Sequence, residues 1–190
     1  MIHLLSGETL HIAKATIENY HYTKRCPSGK SYYMNYDFAI VVWSIPANKN
    51  LARFLLPEGG VVWELSRLWA PDGHRENLLT QAISSAIKAL RGLEKVDALV
   101  SYADPNAGHT GGVYKAASWV PYGQSEETRV YVNSSGEMVA RRAFHSGKKH
   151  LRKAEIEALG YTEKKLPGKL RFVKPLTKLA KRQLLREQAQ

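Results

Sequence analysis

Three side chains that can take part in acid–base chemistry fall close together in residues 101–123, SYADPNAGHTGGVYKAASWVPYG. Asp104 can accept a proton or orient an amine, Tyr114 can act as a general acid, and His109 titrates near neutral pH. Gly108, Gly111 and Gly112 permit positive φ angles and expose N–H groups at the start of the next helix. The spacing also suits an ordinary strand-to-helix connection, with Asp104 starting a turn and Tyr114 in the core. Both interpretations stay open.

Charged and hydroxyl side chains interrupt an otherwise apolar segment, VVWELSRLW, at residues 61–69. Side chains of a strand alternate between its two faces, so Glu64 and Ser66 are predicted to share one face and Arg67 to lie on the other. A charge inside an apolar strand is costly unless it is paired or faces a cleft. The pattern therefore predicts either a substrate site or a structural ion pair.

Two further segments offer groups that could bind a substrate. HRENLLTQ, residues 74–81, opens a helix whose free N–H groups can hold a phosphate or carboxylate, although the Gly-x-Gly spacing of pyrophosphate loops is missing. His21 and Tyr22 precede a loop with three cations, which either contacts a substrate phosphate, folds over a cleft or is simply solvated. The candidate substrate-binding residues are His21, Tyr22, Glu64, Ser66, Arg67, Asn77 and Ser101.

The composition limits the kinds of metal site and the cellular location that we expect for this protein. The single Cys26 excludes an internal disulfide and a cysteine-rich zinc site, which is typical of a reducing cytosol. The longest apolar run, residues 38–45, is too short to cross a bilayer, and no signal segment opens the chain, so we expect a cytoplasmic protein without a membrane partner. No metal is expected, because the short helical pair spacing of metal ligands is missing among His21, His109, His145 and His150.

Hydrophobic periodicity and turn residues predict a mixed α/β sheet with helices on both faces. Helices are predicted over about residues 9–20, 79–90 and 148–159, the last with Ser146 as N-cap and Gly160 past its end. Strands are predicted within 36–45, 51–56, 61–69, 96–103 and 169–176, and a short helix and a strand within 101–123. A hairpin in 128–144 is predicted to turn at 133–136. We expect a single domain over 1–175 and a basic, helical tail over 176–190.

The positive charge is confined to the last quarter of the chain. Residues 1–140 contain 13 Lys/Arg and 13 Asp/Glu, whereas residues 141–190 contain 15 Lys/Arg and 4 Asp/Glu, which accounts for the whole net charge of +11. A neutral body with a basic end is typical of a protein that contacts a polyanion, through phosphate contacts that are largely independent of sequence. The alternative is a solvated basic helix. Nucleic acid is the class of partner that this pattern favours.

The segments YHYTKRCPSGK, WELSRLWAPDGHREN and VSYADPNAGHTGGVYKAASWVPYG resemble the Mom family of phage DNA-modification proteins, relatives of the GCN5-type acyltransferases. The Asp-Pro, Gly-His, Gly-Val-Tyr series is the most specific part. The resemblance implies an acyltransferase-like catalytic domain over residues 1–175, in which helices flank a central mixed sheet that opens between strands 61–69 and 97–103. It also implies that a carbamoylmethyl group is placed on the exocyclic N6 of adenine, which protects phage DNA from restriction in the host cytoplasm.

The resemblance also suggests roles for individual residues. Asp104 and Tyr114 match the acid and the tyrosine thought to act in the family's chemistry, and Ser84 matches its serine by a looser alignment. Together with His109 they are the candidate catalytic residues. Asp104 is expected to take the N6 proton, and Tyr114 to protonate a leaving group or stabilise negative charge. An adenine extruded from duplex DNA needs an aromatic surface, for which the candidates are Trp69, Trp119 and Tyr122.

The donor and two other functions stay open. The Arg- and Gly-rich loop that binds coenzyme A pyrophosphate in acyltransferases is replaced by APDGHRENLL, so the donor is either an acyl-CoA or an aminoacyl-tRNA. One alternative is a coenzyme A-dependent N-acetyltransferase of a small amine or a protein. The other is a non-catalytic nucleic-acid-binding protein, which explains the basic end but not the Asp, His and Tyr loop.

Overall fold

A computed structural model of the protein describes residues 1–144 and 150–188. The main sheet contains β1 (Ile2–Leu4), β2 (Ser31–Tyr36), β3 (Ala39–Ser44), β4 (Val62–Trp69), β5 (Ala98–Ala103), β6 (Val120–Gln124) and β10 (Leu170–Pro175). A smaller sheet contains β7 (Thr128–Val132), β8 (Met138–Ala140) and β9 (Thr162–Leu166). The helices are α1 (Gly7–Tyr20), α2 (Leu51–Leu55), α3 (Leu78–Leu93), α4 (Gly112–Ala116), α5 (Lys153–Ala158) and α6 (Lys178–Gln188). Two 3₁₀ turns cover Pro105–Ala107 and Arg141–Phe144.

The main sheet is held together by antiparallel pairs on both sides of one parallel pair. Its order is β1-β2-β3-β4-β5-β10-β6, and only β4 and β5 run parallel. Their pairing begins at Val62 and Ala98 and ends at Glu64 and Val100, although both strands continue beyond that point. Beyond Glu64 and Val100 the two strands therefore separate and leave a gap in the middle of the sheet.

Helices cover both faces of the main sheet. On one face, which we call the α3 face, α3 and α4 pack over a large apolar core. Helix α3 presents one apolar side to this core, and each of its fully buried Leu and Ile side chains stabilises the fold by about 1.5–3 kcal/mol. On the opposite face, the α1 face, α1 packs over β2 and β3, while α2 and α6 pack over β4, β5 and β10. The predicted mixed sheet with helices on both faces is confirmed.

The smaller sheet is an insertion between two neighbouring strands of the main sheet. Chain order places β7, β8, α5 and β9 between β6 and β10, which pair directly with each other. The predicted hairpin is confirmed: β7 and β8 pair, and Gly136 N–H donates to the Asn133 carbonyl at their turn. Helix α5 begins at Lys153, later than the predicted 148, and both Ser146 and His145 lie outside the described residues.

Segment 51–56, predicted as a strand, is the helix α2 followed by Leu56. Leu51 and Leu55 lie four residues apart, so one side of a helix buries both of them against the main sheet. A short apolar run fits a strand and a buried helix equally well, and here the tertiary contacts decide.

Three strands were not predicted: β1, β2 and β9. Strand β2 contains polar and aromatic residues that do not alternate, yet pairing with β1 and β3 on both sides makes it an interior strand. Strand β9 has the sequence TEKKL, a composition that strands disfavour, and it is held by five residue pairs with β7.

Helix α6 forms within the predicted tail and packs on the α1 face. Ala180 and Leu184 are buried in the core formed with α2 and β10. The Gln183 side chain accepts a hydrogen bond from Glu58 N–H at 2.8 Å and donates one to the Gly59 carbonyl at 3.3 Å. Among the residues that the structure describes, no helix has the length and apolar character needed to span a membrane.

Candidate active site

A cleft of about 790 Å³ opens where β4 and β5 separate. It is bounded by the end of β4, the end of β5, the segment after α1, the glycine-rich loop before α4, and the two ends of the insertion. Of the predicted site residues, those that line the cleft are His21, Tyr22, Glu64, Ser66, Arg67, His109 and Tyr114. The open sheet therefore brings together the first segment, the charged strand and the glycine-rich loop that the sequence singled out.

A β-bulge changes the direction of the β4 side chains. Val42 pairs with Arg67 and Trp43 pairs with Leu65, so Ser66 is an extra residue in the ladder. Residues opposite each other on paired strands share a face, and Val42 lies under α1. Arg67 therefore lies on the α1 face together with Glu64, and the prediction that the two residues occupy opposite faces was wrong. The Arg67 Nε–H donates to the Arg25 carbonyl at 2.7 Å, which ties the strand to the segment after α1.

Glu64 is the acid on the β4 side of the cleft. It is half-buried, and within residues 1–144 and 150–188 no hydrogen bond or ion pair engages its carboxylate. Burial raises the pKa of Glu64, while the charges of Arg67 and Lys169 oppose the rise. A carboxylate that is partly desolvated and faces a cleft is a candidate general base.

Asp104 is the acid that follows β5, at the start of the glycine-rich loop. Its Oδ1 accepts from both the N–H and the side-chain amide of Asn106 at 3.0 Å, and its Oδ2 lies 3.0 Å from Lys169 Nζ. Burial acts to raise the pKa of Asp104, but the hydrogen bond and charge of Lys169 and the two Asn106 bonds outweigh it and lower the pKa. Asp104 is therefore ionised and well bonded, but it does not itself line the cleft; its partner Lys169 does.

The glycine-rich loop reaches the cleft because glycine permits a close backbone contact. Gly111 has φ +79°, and a Cβ atom there would fall 2.2 Å from the Phe172 ring. The loop brings the His109 ring to 4.8 Å from Tyr22, centroid to centroid, and Tyr22 in turn lies 4.6 Å from His21. Three rings thus line one side of the cleft.

His21 is the most deeply buried member of this ring cluster. Its Nδ1 accepts from the Thr23 N–H at 3.2 Å, which leaves the proton of the neutral ring on Nε2. Burial, together with the charges of Arg67, His109 and Lys169, lowers the pKa of His21 to about 4. His21 is therefore neutral at physiological pH and offers the cleft a hydrogen-bond donor rather than a positive charge.

Tyr114 reaches the cleft from the α3 face through a chain of two hydroxyl groups. Ser101 Oγ lies 2.7 Å from the Leu65 carbonyl and 2.9 Å from the Tyr114 hydroxyl oxygen. A carbonyl only accepts, so Ser101 donates to Leu65 and Tyr114 donates to Ser101. Burial raises the pKa of Tyr114 to about 12. Tyr114 is therefore protonated, and Ser101 spans the point where β4 and β5 separate.

The remaining predicted residues lie elsewhere. Asn77 is exposed and caps α3 in a left-handed conformation, and Ser84 lies on the exposed side of α3. Neither lines the cleft, so the structure gives no support to a catalytic role for Ser84. Of the three aromatic residues proposed to receive a base, Trp69 lines the cleft, whereas Trp119 and Tyr122 are buried in the cores.

The sequence alone did not indicate Lys169, which lines the cleft between Asp104 and Tyr22. One lysine within a basic region carries no distinguishing signal, and only the return of the chain from the insertion places it here. No group of three or more His, Cys, Asp or Glu side chains suited to a metal occurs within the described part of the chain.

Comparisons with known proteins agree with this geometry. The model of the Mom protein family matches residues 7–190. The methylcarbamoylase mom of Escherichia phage Mu is 28% identical over 125 residues, which cover 62% of this chain and 52% of that protein. The chain thus spans about half the length of this curated relative.

Solved structures share the fold at low sequence identity. Arabidopsis thaliana NAA60 in complex with acetyl-CoA gives a TM-score of 0.52 at 9% identity, over 93% of this chain and 98% of that one. FeeM, an N-acyl amino acid synthase from uncultured soil microbes, gives a TM-score of 0.48 at 10% identity, over 100% of this chain and 96% of that one. The match to NAA60 confirms the predicted acyltransferase-like fold of the GCN5 type.

Proposed function

Since the chain belongs to the Mom protein family, we propose that it is a DNA-modifying transferase that acts on the exocyclic N6 of adenine. The group transferred is of the carbamoylmethyl type, and the modified base protects the DNA from restriction enzymes. The name of the phage relative, a methylcarbamoylase, supports this substrate class.

The observation that carries the proposal is the cleft through the middle of the sheet, which takes groups from both faces. Glu64 reaches it from the α1 face and Tyr114 from the α3 face. A transfer reaction needs an acceptor and a donor on opposite sides of the reacting carbon, and this opening allows both to approach. We assign the adenine to the Glu64 side and the donor to the Tyr114 side.

The N6 amine needs help because its lone pair is delocalised into the purine ring. When the new N–C bond forms, the nitrogen must lose a proton, and the leaving group of the donor must gain one. Glu64, with its raised pKa, is the better base of the two acids. Asp104 is ionised but has a lowered pKa and a carboxylate engaged in three contacts, so we assign it a role in holding the loop. Tyr114, protonated at neutral pH, has one hydroxyl proton, and it supplies this proton or hydrogen bond to the leaving group by turning its hydroxyl away from Ser101.

A flipped adenine requires an aromatic surface at the opening of the cleft. Trp69 lines the cleft, and its ring lies 6.1 Å from that of Tyr20, which is exposed. The Tyr22 ring lies on the side that the glycine-rich loop forms. These rings, together with the Nε2–H of His21, supply the stacking and the hydrogen-bond donor that an extruded purine needs.

Contact with DNA phosphates is assigned to the basic end of the chain. Lys178, Lys181 and Arg182 lie on the exposed side of α6. Their side chains are available for contacts that neutralise phosphates and release counterions. The donor is either an acyl-CoA or an aminoacyl-tRNA, because the segment before α3 lacks the glycine spacing of a pyrophosphate loop.

The proposal is tested by nucleoside mass analysis of DNA from cells that express the chain. We expect an adenine derivative whose mass and fragmentation place a carbamoylmethyl group on N6, and its absence in cells that express Glu64→Gln. Lys88→Gln, an exposed change on α3, is the matched control and should retain the modification. Unmodified DNA in cells that contain folded wild-type protein would contradict the proposal.

Titration calorimetry with coenzyme A separates the proposal from the acetyltransferase alternative. The altered loop before α3 leads us to expect no tight, stoichiometric binding of free coenzyme A. Tight binding, combined with acetyl transfer to a small amine or a protein, would favour the N-acetyltransferase. DNA binding without any modified base, unchanged in Glu64→Gln, would favour a non-catalytic binding protein.

A further inference from the structure

Lys169 occupies a position where three segments of the chain meet at the cleft. Its Nζ lies 3.0 Å from Asp104 Oδ2 in the loop after β5 and 5.7 Å from the centroid of the Tyr22 ring in the segment after α1. Lys169 itself is the last residue of the insertion before β10. A single ammonium group thus links two segments that meet on one side of the cleft, where the Tyr22 and His109 rings also touch.

The backbone of Lys169 is held firmly by the start of the insertion. Ser125 N–H donates to the Lys169 carbonyl, and Lys169 N–H donates to Ser125 Oγ, both at 2.9 Å. At Gly168 a Cβ atom would fall 1.8 Å from the Ser125 carbonyl oxygen, so only glycine permits this approach. The Asn106 amide also donates to the Pro167 carbonyl at 3.3 Å. The side chain of Lys169 therefore starts from a fixed point.

The ammonium group is partly shielded from water, which strengthens its interactions. The Lys169 side chain is 37% exposed, and that of Asp104 is 14% exposed. Such a pair is screened less than an ion pair on the open surface. A cation over a tyrosine ring adds a further attraction. The contacts hold Asp104 and Tyr22 in one arrangement relative to each other.

We propose that Lys169 is a positioning residue of the transfer reaction, which holds the Asp104 loop and the Tyr22 ring in place around the extruded adenine. The assignment of the adenine rests on the proposed function, whereas the positioning itself does not. The charged and titratable groups that face this ammonium group are Asp104, Glu64, His21 and Tyr22.

The first test needs no substrate. Carboxyl and ring signals of the full chain are followed by NMR through a pH titration in the wild type, Lys169→Met and Lys169→Arg. In Lys169→Met we expect a higher Asp104 pKa and shifted Tyr22 ring signals, because the neutral side chain withdraws the cation that favours the carboxylate. Lys169→Arg should keep the Asp104 pKa close to that of the wild type. An unchanged Asp104 pKa and unchanged Tyr22 signals in Lys169→Met would overturn the proposal.

The second test measures single-turnover modification of a duplex. Lys169→Met should react about 10- to 100-fold more slowly, since small displacements of a positioned group cost that much. The acidic limb of its pH–rate profile should move to higher pH. Lys169→Arg should restore most of the rate and return the acidic limb of the pH–rate profile to its wild-type position. Lys165→Met is the control, since Lys165 is exposed in the same insertion and pairs with Glu127 at 3.6 Å. Equal losses of rate in Lys169→Met and Lys169→Arg, with the acidic limb of the pH–rate profile unshifted, would show that the lysine is merely structural and would overturn the proposal.

The two tests separate the two proposals. A wild-type chain that shows the expected NMR differences but modifies no adenine would refute the proposed function and leave the positioning by Lys169 in place. A wild-type chain that modifies adenine, with Lys169→Met equal to it in rate and pH profile, would refute the positioning alone.

Discussion

The two strands that separate at the cleft are each associated with one acid, Glu64 in β4 and Asp104 just after β5, and the surroundings of these acids are opposite. Glu64, on β4, lies partly buried with no hydrogen-bond partner among residues 1–144 and 150–188, and its pKa is raised. Asp104, after β5, accepts two hydrogen bonds from Asn106 and pairs with Lys169, and its pKa is lowered. The same chemical group is thus prepared for proton transfer in β4 and for holding a loop after β5.

This difference explains why a conspicuous motif and a reactive group need not coincide. The Asp-Pro motif is easy to see because a turn needs an acid at its start, where Asp104 Oδ1 accepts the Asn106 N–H. Glu64 is one charge within an apolar strand, and its raised pKa depends on neighbours that other segments supply. We therefore expect the larger catalytic effect at the less conspicuous residue.

Replacing the two acids in turn should give the largest effects. Glu64→Gln should lower the single-turnover rate roughly 10²- to 10⁴-fold, the usual range for loss of a general base. Asp104→Asn keeps the Asx turn and should cost roughly 10-fold or less, through a looser Lys169 contact. Rates are measured on a duplex with folding checked by circular dichroism. The reverse order of the two losses would make Asp104 the base and Glu64 a structural acid.

Tyr114→Phe tests whether a side chain from the α3 face takes part in the chemistry. Loss of the hydroxyl should lower the rate roughly 10²-fold if it serves the leaving group. It should lower stability by only about 1 kcal/mol, because Ser101 still donates to the Leu65 carbonyl. Tyr131→Phe, in the insertion, is the control for removal of a buried hydroxyl. A wild-type rate in Tyr114→Phe would restrict the chemistry to the α1 face.

The two acids should also have opposite effects on stability. The pKa of Glu64 is raised in the folded state, so its contribution is present at low pH and is lost as pH rises through the folded-state pKa. The pKa of Asp104 is lowered, so its contribution is present at neutral pH and is lost as pH falls through the folded-state pKa. At pH 7 Glu64→Gln should therefore raise the melting temperature and Asp104→Asn should lower it.

Thermal unfolding between about pH 3 and pH 8 checks this prediction, since the usual carboxyl pKa values lie near the acid end of that window. Both differences from the wild type should shrink towards the acid end, where the two carboxyl groups become protonated. Melting shifts of the same sign at neutral pH would show that the surroundings of the two acids are not opposite.

The smallest effect on the rate is expected far from both acids, on α6. Lys181→Gln combined with Arg182→Gln should make the plot of the logarithm of the DNA-binding constant against the logarithm of the salt concentration less steep by about 2. The rate of modification at saturating DNA should be unchanged. Substitution is a cleaner test than deletion of 176–190, because deletion also removes Ala180 and Leu184 from the core. Lys88→Gln serves as the control for charge at an exposed site of α3. An unchanged slope would show that this side of α6 is only solvated.

Much of the fold was predictable because the signals are local. Helix α3 and the strands β4 and β5 follow from periodicity within each segment, and the hairpin of β7 and β8 follows from its turn residues. The predictions failed where pairing decides: TEKKL is a strand only because β7 lies beside it, and LARFL is a helix because the sheet buries two of its residues.

The sequence by itself determined the family, the elements on both sides of the cleft, and the glycine-rich loop that carries Asp104, His109 and Tyr114. The tertiary structure decided which face Arg67 occupies, because the bulge at Ser66 arises from the register with β3. It also decided that Lys169 reaches Asp104, and that Glu64 rather than Asp104 has the raised pKa. A pKa depends on burial and on nearby charges, and those are set by contacts between residues distant in the chain.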